Sequence, residues 1–339
     1  MLAYVLRRYG RPEGSSLMEV PAPRPAPRQL LVRVRAAGLN PVDFKTRNGW
    51  VRPIQSYRLP IVLGNELSGE VIGCGDQVRR FRVGDRVFAR VAKDRMGAFA
   101  QFAVVDEDHA AAMPASLDFA TAAAIPLAGL TALQALRDEL HIARGQRIFL
   151  SAGAGGVGSF AIQIAKHLGA EVATTASPRG AALVRQLGAD TVIDYTQQRL
   201  ASELSGYDGV FDLIGGETLQ QAFAIVRPGA AIVSVGGIPE PQTASKDLGR
   251  GLGLQALFWA ASFSIRRRAR RHGAHYRFFI MHPSGEDLSE LAGLVEAGAV
   301  RVVLDSIYPF ERIAEAMAKL ETGRAKGKIV VTMPDGPAG

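Results

Sequence analysis

The run "SAGAGGVG", residues 151–158, limits the possible folds more than any other segment of the chain. Gly153, Gly155 and Gly158 stand at G-x-G-x-x-G spacing, between the apolar run "RIFL" (147–150) and the amphipathic stretch "GVGSFAIQIAKHLG" (156–169). Placed between a strand and a helix, these glycines have separate tasks. The first allows a tight turn, the second lets backbone approach a pyrophosphate, and the third lets helix and strand pack closely. The helix start then offers free N–H groups and a positive dipole end to an anion. Gly153, Ala154, Gly155, Gly156, Val157 and Gly158 are therefore the expected dinucleotide cradle. A glycine-rich turn that serves packing alone is the competing reading, and the strand–turn–helix context counts against it.

Such a turn needs a parallel sheet around it, and the following sequence supplies one. "EVATTAS" (171–177), "TVIDY" (191–195), "YDGVFDLIG" (207–215), "AAIVSVGG" (230–237) and "YRFFIM" (276–281) read as strands, with helical stretches such as "GAALVRQLGA" between them. Together with "RIFL" they make six, enough for a doubly wound α/β dinucleotide fold. The first third differs. "LLVRVRAAGL" (30–39), "LSGEVIGCG" (67–75), "VGDRVFA" (83–89) and "FAQFAVVDE" (99–107) alternate at the period of half-buried strands. No helix is expected before about Asp118. From Ser116, a candidate N-cap, the chain reads as helices interrupted at Pro126. The tail from Ser284 alternates helix, strand, helix, strand and is expected to return to the β-rich part. The expected division is 1–119, 120–283 and 284–339.

The type of dinucleotide follows from the end of the second parallel strand. An NAD site places Asp or Glu there to bind the ribose hydroxyls. This strand ends "TTASPRG", with no acid, and Ser177 and Arg179 would instead attract a 2′-phosphate. Tyr195, at the end of the next strand, can add a hydroxyl. NADP(H) is the expected cofactor; Arg179 as a solvated loop residue is the alternative.

Several classes are disfavoured by composition. The lone Cys74 excludes an intrachain disulfide and any multi-cysteine zinc site, and reads as a structural thiol. The start of the chain has too short an apolar segment for a signal peptide, and no run reaches the ~18–20 apolar residues of a membrane span. A cytoplasmic protein is the simplest expectation. Net charge is +8, much of it from "RRRARRH" (266–272). That run reads as a solvated helix end or as a phosphate-contacting or membrane-surface patch. It lacks interleaved aromatics for stacking bases, so nucleic acid is not expected as a partner.

"AGLNPVDFK" (37–45), "LPIVLGNELSGEV" (59–71), "GDRVFA", "AAAIPLAGLTAL" (122–133), "AGAGGVG", "GADTVIDY" and "GRAKGKIVV" occur in order along nearly the whole chain. In that ordered set the chain resembles the medium-chain dehydrogenase/reductase superfamily, in its zinc-free quinone and enone oxidoreductase branch, and most of all the alkenal/enone reductase-like members. The resemblance implies a GroES-like β-rich domain made from both termini around a central Rossmann domain, and a homodimer. Zinc-dependent relatives carry a ligand Cys where this chain has Asn40 and a ligand His where it has Asn65, so no metal is expected. Hydride transfer to an enone, an enal or a quinone remains, because such an acceptor moves charge onto a distant oxygen that needs only a donor.

The resemblance further implies that Asn40, Asp43 and Lys45 line the nicotinamide end of the cleft, with Thr131 at the start of the connecting helix. Lys45 is the expected donor to the developing enolate, with pairing to Asp43 on the surface as its alternative. Tyr57 or solvent would supply the proton, and Asn65–Glu66 would brace the wall. Gly236, Gly237, Phe279, Met281 and Lys328 are the further cofactor contacts it implies. The segment 238–274 departs from the family and leaves the acceptor open. Reduction of other carbonyls, or a regulatory or RNA-binding protein that kept the nucleotide fold, are the alternative readings.

Overall fold

Period-two alternation in the first hundred residues does give strands in the computed structural model of the protein, which describes residues 1–334. They are β1 (Leu2–Leu6), β2 (Ser15–Glu19), β3 (Gln29–Leu39), β4 (Ile61–Val62), β5 (Glu66–Cys74), β6 (Arg86–Arg90), β7 (Phe102–Asp106) and β8 (Ala110–Ala112). The expectation of no helix before Asp118 fails at α1 (Pro41–Arg47). Seven residues are too few for periodicity to register, yet the capping chemistry is present. Pro41 opens the helix, and the Asp43 carboxylate accepts the Asn40 backbone N–H at 2.7 Å.

Next come α2 (Phe119–Ala123) and α3 (Pro126–Gln134), broken apart at Pro126 as the sequence suggests. Asp118, not Ser116, caps α2: its carboxylate accepts the Thr121 N–H at 2.7 Å, the geometry an N-cap requires.

Strict alternation follows: β9 (Arg147–Leu150), α4 (Gly156–His167), β10 (Glu171–Ala176), α5 (Pro178–Gln186), β11 (Thr191–Asp194), α6 (Leu200–Glu203), β12 (Tyr207–Asp212), α7 (Gly216–Ile225) and β13 (Val226–Ser234). The departing segment forms α8 (Leu252–Ala261) and α9 (Phe263–Arg271), and β14 (His275–Phe278) completes the series. The tail is α10 (Gly285–Glu296), β15 (Leu304–Pro309), α11 (Ile313–Glu321) and β16 (Lys328–Thr332).

Two units result. The first takes Met1–Leu130, Pro283–Gly298 and the described residues from Val302 onward; the second takes Thr131–His282 and Ala299–Arg301. In the first unit the main sheet runs β15-β16-β3-β5-β6-β8, with β7 also on β3, and β2-β1-β4 form a smaller sheet. Only β15 and β16 in that main sheet pair in parallel. Val32, Val34, Leu63, Leu67, Val87, Phe99 and Phe310 fill its core, each contributing roughly 1.5–3 kcal/mol by leaving water.

The second unit is a parallel sheet in the order β11-β10-β9-β12-β13-β14, the doubly wound order of dinucleotide-binding folds. The order reverses at β9, the strand that feeds the glycine turn. No helix among the described residues is long and apolar enough to cross a membrane.

Candidate functional site

The glycine turn of the second unit is built by close contacts that exclude side chains at two of its three positions. A Cβ on Gly153 would lie 2.3 Å from Thr174 Oγ1, and one on Gly158 would lie 2.3 Å from the Ala152 carbonyl oxygen. Gly155 differs, since a Cβ there meets only the Ala152 oxygen, at 3.3 Å. The space over Gly155 is thus open at the start of α4, where no side chain caps the helix. Gly156, Val157 and Gly158 form its first turn, with Ala154 just before. Ala152 itself is held at φ +54°, uncommon for a residue with a side chain, and its N–H donates to Thr175 Oγ1 at 2.9 Å. A turn of this shape presents backbone donors outward and fits a pyrophosphate.

At the end of β10, Ser177 is the N-cap residue of α5, yet its hydroxyl caps nothing. Arg179 follows on the exposed first turn of that helix, and Tyr195, 60% exposed, lies just past β11. No carboxylate stands at the end of β10, so an anionic group there would meet a hydroxyl, a guanidinium and a helix start.

The carboxyl ends of β9, β12 and β13 are tied by a network that sequence reading did not identify. Ser151 Oγ donates to Asp212 Oδ1 at 3.2 Å, and Ser234 Oγ donates to Asp212 Oδ2 at 2.6 Å. The Gly236 and Gly237 N–H groups donate in turn to Ser234 Oγ, at 3.2 and 2.8 Å. Asp212 is only 1% exposed. A buried carboxylate at the end of a central strand was the available signal. Beyond β14, Phe279 and Met281 are both buried, and the Phe279 N–H donates to the Ser234 carbonyl oxygen at 2.9 Å. Thr131, in α3, is buried as well.

The first unit holds a second polar cluster, wholly buried. Glu66, at the start of β5, accepts Asn40 Nδ2 at 2.6 Å and Lys328 Nζ at 2.7 Å on Oε1, and the Leu127 N–H at 2.6 Å on Oε2. Lys328 Nζ also donates to the Leu39 carbonyl oxygen at 2.9 Å and to Asn40 Oδ1. Gly38 makes room for this, since a Cβ there would come within 2.3 Å of Glu66 Oε1. Asp43 Oδ1 accepts Asn65 Nδ2 at 2.6 Å. Burial pushes the Asp43 carboxyl up to about 7. The Asn65 amide and the Asn40 N–H oppose that rise, the Glu66 charge adds to it, and Lys328 opposes it.

Asn40, Asp43, Asn65, Glu66 and Lys328 are therefore brought together, and Lys328 is spent on Glu66. Lys45 is not part of the set: it is half-buried on α1, and among the described residues no hydrogen bond or ion pair holds its ammonium. The Tyr57 hydroxyl donates to the Lys93 carbonyl oxygen at 2.7 Å, and burial raises its pKa to about 12. Arg90, also missed from the sequence, is buried beside Asn65, donating to its carbonyl oxygen at 3.3 Å. Burial lowers its pKa from the usual arginine value, and its Nε has no partner. Among the described residues no three His, Cys, Asp or Glu side chains gather as a metal site would need.

Similarity to known proteins extends along nearly the whole chain. Residues 26–115 match the family described as "Alcohol dehydrogenase GroES-like domain", and residues 187–331 the one described as "Zinc-binding dehydrogenase". The chain is 34% identical to a mitochondrial NAD(P)H oxidoreductase, RTN4IP1, of Danio rerio, over 91% of this chain and 84% of that one. It is also 34% identical to a chloroplastic NADPH-dependent alkenal/one oxidoreductase of Arabidopsis thaliana, over 98% and 79%. Among solved structures, the quinone oxidoreductase from Coxiella burnetii superposes with a TM-score of 0.86 at 32% identity, covering 98% of this chain and 99% of that one.

Proposed function

We propose, for a chain that belongs to the quinone and enone oxidoreductase branch of the medium-chain dehydrogenase/reductase superfamily, the NADPH-dependent reduction of an enone, an enal or a quinone without zinc. The cofactor is NADP(H), held by the residue 153–158 turn and the Ser177–Arg179 start of α5, with Tyr195, Gly236, Gly237, Phe279 and Met281 as further contacts. When bound it supplies the hydride. The remaining tasks fall to the protein's own side chains.

The observation that carries the reading is the full engagement of the buried cluster. Both oxygens of Glu66 and both oxygens of Asp43 already accept hydrogen bonds: Glu66 from the Asn40 side-chain amide, the Lys328 ammonium and the Leu127 N–H, and Asp43 from the Asn65 side-chain amide and the Asn40 backbone N–H. No carboxylate oxygen is left over for a cation, and an amide is a poor zinc ligand. An acceptor's oxygen would then take its hydrogen bond from an ammonium, and Lys45 has one that no other described residue holds. Asn40 and Asp43 position α1 and with it Lys45. Tyr57, kept neutral by its raised pKa, can give a proton only by leaving the Lys93 carbonyl. β14 is the edge of its sheet, and pairing there in a homodimer is part of the same reading.

The test is NADPH oxidation against a panel of quinones, enals and saturated aldehydes, with and without chelator. Turnover of conjugated acceptors that chelator leaves unchanged is expected. Loss of activity with chelator would overturn the zinc-free reading, and equal efficiency with NADH would remove the role given to Ser177 and Arg179. Lys45→Met should lower kcat by about a hundredfold with little change in KM, the scale of losing one donor to a developing oxyanion.

A further inference from the structure

Helices α8 and α9 carry a surface that hydride transfer does not explain. From Leu248 to Gly285 the chain has seven arginines and no Asp or Glu. One of them, Arg277, is buried and paired with Glu139, Glu240 and Asp247. The other six are Arg250, Arg266, Arg267, Arg268, Arg270 and Arg271, and among the described residues none makes an ion pair. On the same two helices Leu252, Leu257, Trp259 and Phe263 are 81%, 59%, 54% and 51% exposed.

The helices sort these residues by face. Phe258, Ser262, Ile265 and Ala269 are buried, at the spacing of one inward stripe. Trp259, Phe263, Arg266, Arg267 and Arg270 stand outward, lining a shallow concavity of about 230 Å³. The Trp259 and Phe263 rings lie 6.2 Å apart, and the Arg266 guanidinium sits 5.3 Å from the Trp259 ring centre. Arg266 is fixed there by bonds to Ser262 Oγ and the Trp259 carbonyl oxygen. The aromatic front of Trp259 and Phe263 is therefore continuous with a cationic one, and Leu252 and Leu257 are exposed on the same helix as Trp259.

Charge selects the occupant. In a two-fold contact with a second copy, each cation on this face would meet its own kind, with no acid to answer it. A nucleic acid would satisfy the arginines but leave Leu252 and Leu257 against phosphates. An anionic bilayer answers both fronts, since amphipathic helices bury Trp, Phe and Leu at the headgroup boundary and keep Arg at the phosphate level.

We propose that α8 and α9 form a peripheral attachment site for an anionic lipid bilayer. Leu252, Leu257, Trp259 and Phe263 enter the headgroup region, and Arg266, Arg267 and Arg270 meet the lipid phosphates. The attachment is independent of the reductase reading, so either can fail alone.

The test uses the full chain carrying Trp50→Phe, which leaves Trp259 as the sole tryptophan. Vesicles of equimolar phosphatidylglycerol and phosphatidylcholine should sediment the protein and shift Trp259 emission to the blue. Pure phosphatidylcholine should do neither, and added salt should release the protein. The triple variant Arg267→Gln, Arg270→Gln, Arg271→Gln should weaken binding by roughly a hundredfold. Leu257→Ser with Phe263→Ser should abolish the emission shift, while NADPH oxidation in solution and circular dichroism stay unchanged. Failure of the parent protein to bind anionic vesicles would overturn the proposal, as would binding that both variants retain. Competition by free glycerol phosphate at concentrations matching the lipid would reduce the surface to a simple anion site. Tight RNA binding without vesicle binding, or self-association that Phe263→Ser removes, would assign the face to those partners instead.

Discussion

Asp43 is a carboxyl group held where water cannot reach it, and its pKa of about 7 makes it a titrating core residue near neutrality. The folded value lies above the ordinary aspartate value of 3.8, so the native state binds the proton more tightly than the unfolded chain does. Its favourable contribution is complete below about pH 4 and is lost as pH rises through 7, by about 4 kcal/mol at most. Asp43→Asn should flatten the melting temperature between pH 4 and 7. A slope equal to that of the unaltered protein would show that some other group is responsible. Lys328 makes a second prediction at this scale. Lys328→Met leaves the Glu66 charge buried and unanswered, and should cost about 3–5 kcal/mol. Adding Glu66→Gln should recover much of that loss, which denaturant titration of the single and double variants would measure. Neither group can be assigned from sequence alone: "GRAKGKIVV" shows a lysine in a terminal turn, and its burial depends on a contact 262 positions away.

Elements were legible where local chemistry alone decides them. The glycine turn, its flanking strand and helix, and the six-strand parallel series all follow from spacing and period. What escaped was short or long-range. α1 hides inside a β-like region because its seven residues rest on a cap and a proline, not on a repeating face. The Ser151–Asp212–Ser234 network joins three strand ends whose proximity exists only once the sheet order is known. The turn itself separates two roles of glycine. Gly158→Ala drives a Cβ into backbone and should cost about 2–3 kcal/mol of stability. Gly155→Ala meets only one atom at 3.3 Å and should keep its melting temperature nearly unchanged. It should nevertheless raise the NADPH dissociation constant at least tenfold, as titration of cofactor fluorescence would show. Equal loss of stability in both variants would reduce the turn to a packing device.

For the molecule as a whole, the first unit is assembled from three separated stretches of chain, while nearly all of the second comes from one. Strand β16 lies against β3, with Ile329 opposite Leu39 and Val330 opposite Gly38. A chain stopped at Gly327 lacks that strand and the Lys328 cation together. Hydrogen exchange should then show β3 and β5 unprotected while β9, β10 and β12 keep their protection. Uniform loss in both units would mean that they fold as one.

The pairing of Lys328 with Glu66 also has a consequence in time. At a synthesis rate of roughly 5–20 residues per second, the 262 positions between them correspond to a delay of roughly 13–50 s. Through that interval the nascent chain carries a carboxylate made for a dry interior and, at Ala36–Leu39 of β3, a strand segment still without its β16 partner. Whatever guards new chains in the cell must shelter this one until Lys328 has been added.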